Sequence, residues 1–211
     1  MMELPVNKLR DELLGALENS GRLLLRAPTG SGKSTCVPPI MLDGGVDGLI
    51  VVVQPRRIAA RMLARRVAEV RGTRLGEEIG YVVRFENQMG KRTRVVYLTD
   101  GVLQGWLHEN PSLHGVGAVV FDEFHERRVA SDVALARCLD LQEGSRSDLK
   151  LVVMSATLEV EGLQDYLEPC VKLEAEGRMF PVDIRYRGAG APLVGGRQAP
   201  AVWDRVADAV R

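Results

Sequence analysis

Several things that would mark a specialised environment are scarce in this 211-residue chain. Cysteine occurs three times, as Cys36, Cys138 and Cys170, scattered and without a C-x-x-C pair. That excludes a disulfide framework or a zinc cage and suits a reducing compartment. Aromatic residues make up 5% of the chain, and formal net charge is zero with a pI near 6.8. No global field therefore draws the protein to a polyanion, and any such site must be a local patch. Lysine is rare, with only Lys8, Lys33, Lys91, Lys150 and Lys172 among 28 basic residues, so arginine supplies the other 23. Guanidinium groups suit bidentate phosphate contacts, although codon composition alone produces the same bias. No stretch approaches the roughly 18 uncharged apolar residues of a membrane span. The N-terminus carries acids and no long apolar core, so it does not read as a signal peptide. A soluble cytoplasmic protein with no membrane partner is expected.

What is present is an alternation. Apolar runs at 22–27, 49–54, 95–99, 118–123 and 150–156 read as strands. Helical patterns near 33–42, 56–71, 100–109, 129–143 and 160–168 lie between them. Residues 7–19 place Leu9, Leu13, Leu14 and Leu17 on one helical face, with Asn7 as a possible cap. Continuous apolar strands separated by helices predict an α/β fold, a mostly parallel sheet with helices on both faces. Ligands then bind beyond the carboxyl ends of the strands.

Two segments carry chemistry. "APTGSGKST" (27–35) follows the first strand and opens a helix. It fits the P-loop pattern G-x-x-x-x-G-K-[ST] except that Ala27 stands at the first glycine. Gly30 and Gly32 let backbone N–H groups face a phosphate, Lys33 neutralises the β- and γ-phosphates, and Ser34 can ligate Mg²⁺. The helix N-terminus adds its partial positive charge. "VVFDEFHERR" (119–128) drives an apolar run into two adjacent carboxylates, which need partners. With a P-loop present, Asp122, 89 positions after Lys33, is expected on a strand beside the first, holding Mg²⁺ through water. Glu123 is then placed to polarise the attacking water and His125 to sense the γ-phosphate side. The arginines at 127 and 128 read as salt-bridge formers and receive no ligand.

In this order, "APTGSGKST", "QPRRIAA" (54–60), "TDGVL" (99–103), "DEFHER" (122–127) and "SAT" (155–157) resemble motifs I, Ia, Ib, II and III of superfamily 2 DEAH/DExH helicases. DEFH in place of DEAH most resembles the bacterial HrpB type. The resemblance implies a first RecA-like domain that couples ATP hydrolysis to movement along single-stranded nucleic acid, RNA rather than DNA. It implies that Thr29, Gly30, Ser31, Gly32, Lys33, Ser34 and Thr35 hold the triphosphate. It further implies that Asp122 and Ser34 serve Mg²⁺, that Lys33, Asp122, Glu123 and His125 are catalytic, and that Arg66 stacks on the adenine. Ser155 and Thr157 would link the nucleotide to domain movement. Arg56, Arg57 and Thr99, with Arg84 in "YVVRFEN", would grip the strand's phosphates, the alternative being that the arginines cap local carbonyls or pair with acids.

Residues 1–187 are expected to form the first RecA-like domain, and the Gly/Pro/Ala-rich 188–200 a linker. Residues 201–211 are expected to begin a truncated second domain, and the resemblance implies that a second RecA-like domain carries an arginine finger. The alternative reading is a nucleotide-binding switch or regulatory ATPase without unwinding activity, which would not need "QPRR" and "SAT". A phosphotransferase would call for an arginine-bearing lid, and no lid-like insertion is evident.

Overall fold

A computed structural model describes residues 4–156 and 161–176. In chain order the elements are α1 (Arg10–Asn19), β1 (Arg22–Arg26), α2 (Lys33–Asp43), β2 (Leu49–Gln54) and α3 (Arg57–Arg71). Then come β3 (Ile79–Val83), β4 (Glu86–Gln88), β5 (Val95–Thr99), α4 (Asp100–Glu109) and β6 (Val116–Phe121). The series closes with α5 (Val129–Glu143), β7 (Lys150–Ser155), α6 (Glu161–Leu167) and β8 (Val171–Glu174). The strands form one sheet in the order β4-β3-β5-β2-β6-β7-β1-β8. Every pairing is parallel except the β3–β4 hairpin. The expected α/β class, with helices on both faces, is what these residues adopt.

Alternation along the central strands separates two cores. Leu23, Leu25, Ile50 and Val52 face one layer with residues of α1, α2 and α3. Leu24, Val51 and Val53 face the other with residues of α4 and α5. Side chains of a strand point to opposite faces in turn, so both faces of a doubly covered strand must be apolar. That is why these runs lack the polar alternation of a half-exposed strand.

The structure corrects four expectations. Asp122 does not follow a strand adjacent to β1, because β7 pairs with both β1 and β6 and stands between them. The acidic strand also ends earlier than residue 123, at Phe121, although the Asp122 amide still donates to the Val53 carbonyl at 3.0 Å. Asn7 is not a cap: Pro5–Leu9 form a 3-10 turn, and α1 starts only at Arg10. Pro5 lacks an N–H and presets φ, which suits the first position of such a turn. Finally, β3, β4 and β8 add three strands to the five expected. β3 holds a glycine, β4 is three polar residues, and β8 is a half-exposed edge. The expected linker and domain boundary near residue 187, and the helix at 201–211, lie outside the described residues.

Candidate nucleotide and nucleic-acid site

The phosphate-loop candidate is built by a turn that only glycine makes easily. Gly30 and Gly32 have φ of 81° and 91°, the left-handed region where a Cβ is strained. A Cβ on Gly32 would also meet Leu4 Cδ1 at 2.8 Å. Ala27 is not among these positive-φ positions; its amide donates to Ser155 O at 2.9 Å and extends the β1–β7 pairing. A glycine is therefore not required where this chain departs from the pattern. Ser31 is 2% exposed and among the described residues its Oγ has no hydrogen-bond partner, a donor left over inside the loop. Thr29 is exposed at the tip, and Thr35 Oγ1 donates to the Gly32 carbonyl at 3.3 Å.

Lys33 opens α2 and is 4% exposed. A buried ammonium needs a counter-charge, and Glu123 Oε1 supplies it at 3.0 Å. The other oxygen, Glu123 Oε2, lies 3.4 Å from His125 Nε2. His125 Nδ1 in turn accepts the Ala156 N–H at 3.3 Å. With Nδ1 accepting, a neutral ring carries its proton on Nε2, facing Glu123. One chain of contacts thus runs from the phosphate loop through Glu123 and His125 to the residue after β7. Glu123 sits in the left-handed region at φ 51°, which turns its side chain back toward Lys33 instead of continuing the strand.

Asp122 is 5% exposed and accepts two hydrogen bonds, from Gln54 Nε2 at 2.5 Å and from the Glu123 amide at 2.9 Å, with the Ser34 hydroxyl beside it. Burial raises its pKa above the usual carboxylate range, the Ser34 hydroxyl and the Gln54 bond oppose that, the Glu123 charge adds to it, and Lys33 lowers it. Ser34 and Asp122 meet although β7 separates their strands, because the first turn of α2 reaches across the carboxyl ends of the sheet. Tyr97 of β5 touches the same turn, donating to the Ser34 carbonyl at 2.8 Å. Phe124, the residue that makes the motif DEFH, is 4% exposed and packs edge-on to Phe121 at 6.1 Å. It anchors the turn in the core.

The candidate strand-gripping residues fall on neighbouring strand ends. β3, β5 and β2 are consecutive in the sheet. Arg84 follows β3, Thr99 ends β5 and Arg56 stands just past β2. Neighbouring strands lie about 5 Å apart, so the three form a row along one edge. Two of the arginines already have partners: Arg56 Nη2 bonds Glu126 Oε1 at 2.8 Å, and Arg57 Nη2 donates to the Arg84 carbonyl at 2.9 Å. Arg84 lies 4.8 Å over the ring of Phe85, itself 89% exposed. Arg66 stands apart, with a side chain 62% exposed and paired to Glu69 at 3.0 Å. Ser155 is buried at the end of β7, and Thr157 lies outside the described residues.

Sequence reasoning passed over Gln54, Tyr97 and the Asp100–Arg128 pair. Gln54 carried a usable signal, since it too is a polar residue ending an apolar run. Tyr97 had none, because an aromatic residue within a strand reads as core.

A family model described as "DEAD/DEAH box helicase" matches residues 8–166. The "ATP-dependent RNA helicase HrpB" of Escherichia coli is 46% identical over 187 residues, covering 88% of this chain and 23% of that protein. The human "Probable ATP-dependent RNA helicase DHX35" is 39% identical over 204 residues, covering 90% of this chain and 29% of its own. The crystal structure of Escherichia coli DEAH/RHA helicase HrpB superposes with a TM-score of 0.83 at 46% identity, over 90% of this chain and 24% of that one. The fold is therefore the RecA-like arrangement of that protein, and the chain spans about a quarter of the length of the relatives it matches.

Proposed function

The chain belongs to the DEAD/DEAH box helicase family, and from that premise we propose that it is the first RecA-like, ATP-binding domain of an ATP-dependent RNA helicase. The observation that carries this reading is the convergence of Lys33, Glu123 and His125 beside the Ser34–Asp122 contact.

ATP enters with its phosphates in the turn of Thr29–Thr35. The unpartnered Ser31 hydroxyl and the glycine-lined backbone are what such a ligand satisfies. Lys33 then exchanges Glu123 for phosphate oxygens. Glu123, freed from the ammonium and still beside His125, is the base for the attacking water. Asp122 and Ser34 are the donor set for magnesium, which is usually held by one or two protein groups together with substrate phosphates. A bound Mg²⁺ supplies charge neutralisation at those phosphates. Arg66 holds the adenine face. Ser155, with Thr157, carries the nucleotide state toward a second RecA-like domain, through the same strand end that His125 touches.

Arg56, Arg57, Thr99 and Arg84 take the phosphates of single-stranded nucleic acid, in exchange for the Glu126 carboxylate and the Arg84 carbonyl that occupy Arg56 and Arg57 here. The names of the relatives favour RNA. No helix among the described residues is long and apolar enough to cross a membrane. Cytoplasmic residence suits the three free cysteines.

The test is steady-state ATPase with and without poly-U, on this chain and on a protein extended through a second RecA-like domain. An arginine finger from that domain is worth about 10³–10⁵ in rate. This chain alone should turn over slowly and respond little to RNA. Equal turnover by the short and long proteins would sink the two-domain mechanism and favour a switch ATPase.

A further inference from the structure

Arg128 connects two parts of the molecule that the nucleotide site leaves apart. Its Nε lies 3.1 Å from Asp100 Oδ2, and its Nη1 donates to the Pro55 carbonyl. Asp100 opens α4 directly after Thr99, and Pro55 stands directly before Arg56. Two residues earlier, Glu126 takes the 2.8 Å bond from Arg56. The segment that follows Glu123 is thus tied to both strand ends that carry candidate phosphate contacts.

The Asp100 tie is constrained by burial. Its side chain is 3% exposed, and among the described residues Arg128 is its one ion partner. Among the described residues neither carboxylate oxygen accepts a hydrogen bond, although Arg128 Nε lies 3.1 Å from Oδ2. Charge, not a directed bond, holds the pair. Moving Arg128 away would leave a carboxylate uncompensated in a low-dielectric surrounding. The position of α4 and that of residue 128 are therefore linked.

The segment between Glu123 and Arg128 does not set its own shape. Glu123 and Arg127 have φ of 51° and 46°, one on each side of the 3-10 turn Phe124–Glu126. Left-handed backbone is unfavourable for residues with a Cβ, so it persists only where the surroundings hold it. At one end Lys33 and His125 hold Glu123. At the other, Asp100 and Pro55 hold Arg128. Phe124 fixes the middle in the core.

We infer that Arg128 is a positioning residue that couples the nucleic-acid face to the Glu123 turn. A strand seated on Arg56 and Thr99 fixes the starts of α3 and α4, and the Arg128 ties carry that constraint to Glu123. By linkage, nucleotide at Lys33 alters the affinity for the strand by the same factor. The inference rests on the reading of Arg56 and Thr99 given above.

The experiment measures binding of fluorescein-labelled oligo-U by anisotropy, with and without Mg²⁺ and a non-hydrolysable ATP analogue. In the wild type the nucleotide should change the oligo-U Kd by about fivefold or more, the lower range of typical couplings. Arg128→Gln should bring that change to within about twofold of none, with the affinity for each ligand alone within about twofold of wild type. Asp100→Asn should do the same, and the double variant should be no worse than either single one. Arg128→Lys, which keeps the charge beside Asp100 but cannot fork to Pro55 as well, should retain part of the coupling. A merely structural role would lower thermal stability and both affinities together with their ratio intact, and that result overturns the proposal. So does a wild type that shows no coupling. Arg56→Ala tests the underlying reading separately: unchanged oligo-U affinity there would mean that the strand binds elsewhere.

Discussion

The Tyr97 hydroxyl donates to the Ser34 carbonyl at 2.8 Å, in the place of the amide that Pro38 lacks. In an α-helix the carbonyl of residue 34 is bonded by the N–H of residue 38, and proline has none. A half-buried carbonyl left so lacks its helical partner. Burial, and then the negative charge of Asp122, raise the Tyr97 pKa well above its ordinary value and keep the hydroxyl a donor. A residue of β5 thereby completes the first turn of α2 and steadies the serine that meets Asp122.

Tyr97→Phe removes that donor while preserving the ring. The net loss is about 1–3 kcal/mol, because the half-buried carbonyl loses its partner. For a domain of this size that corresponds to a fall in Tm of roughly 2–4 °C per kcal/mol. ATP affinity should fall with it, measured by calorimetry at a temperature where the variant is folded. An unchanged Tm would show that the carbonyl is satisfied by other means.

Lys33→Ala should weaken ATP binding at least about tenfold, since a hydrogen bond to a charged group is worth roughly 1.5–3 kcal/mol. The variant also leaves Glu123 without its 3.0 Å counter-charge. Calorimetric titration of the folded variant gives the affinity, and an unaltered Kd would remove Lys33 from the phosphate site.

Glu123→Gln keeps the shape and loses the base. ATP should still bind, while turnover in a protein that includes the second domain falls to background. The expected signature is an unchanged or lower Kd with kcat abolished. Wild-type turnover would place water activation on another group.

Asp122→Asn should raise the Tm of the nucleotide-free protein near neutral pH and abolish Mg²⁺-dependent tightening of ATP. Burial raises the folded-state pKa of Asp122 above 3.8. Such a group favours the folded state below its unfolded pKa, and that contribution is lost as pH rises through the folded value. The Asn variant escapes the loss, and Gln54 can turn its amide to meet the new group. Its advantage should therefore be largest at neutral pH and shrink as pH falls through the raised pKa toward 3.8, followed by melting curves across that range. A gap that widens on acidification would reverse the assignment.

The order of the five expected strands and the helices between them was legible because it depends on neighbours in the chain. Apolar runs bounded by polar residues become strands, and Gly30 and Gly32 permit a turn that other residues resist. An acid pair ending a buried run announces partners without naming them. Which partners they are depends on sheet order, and local patterns do not encode it. β7 between β6 and β1, a proline-orphaned carbonyl met by Tyr97, and Gln54 beside Asp122 across 68 positions were settled only when the strands paired. The same holds for Arg128, which reads as a salt-bridge former in "ERR" without a named partner. Its place between Asp100 and Pro55 exists because tertiary packing buried a carboxylate beside it.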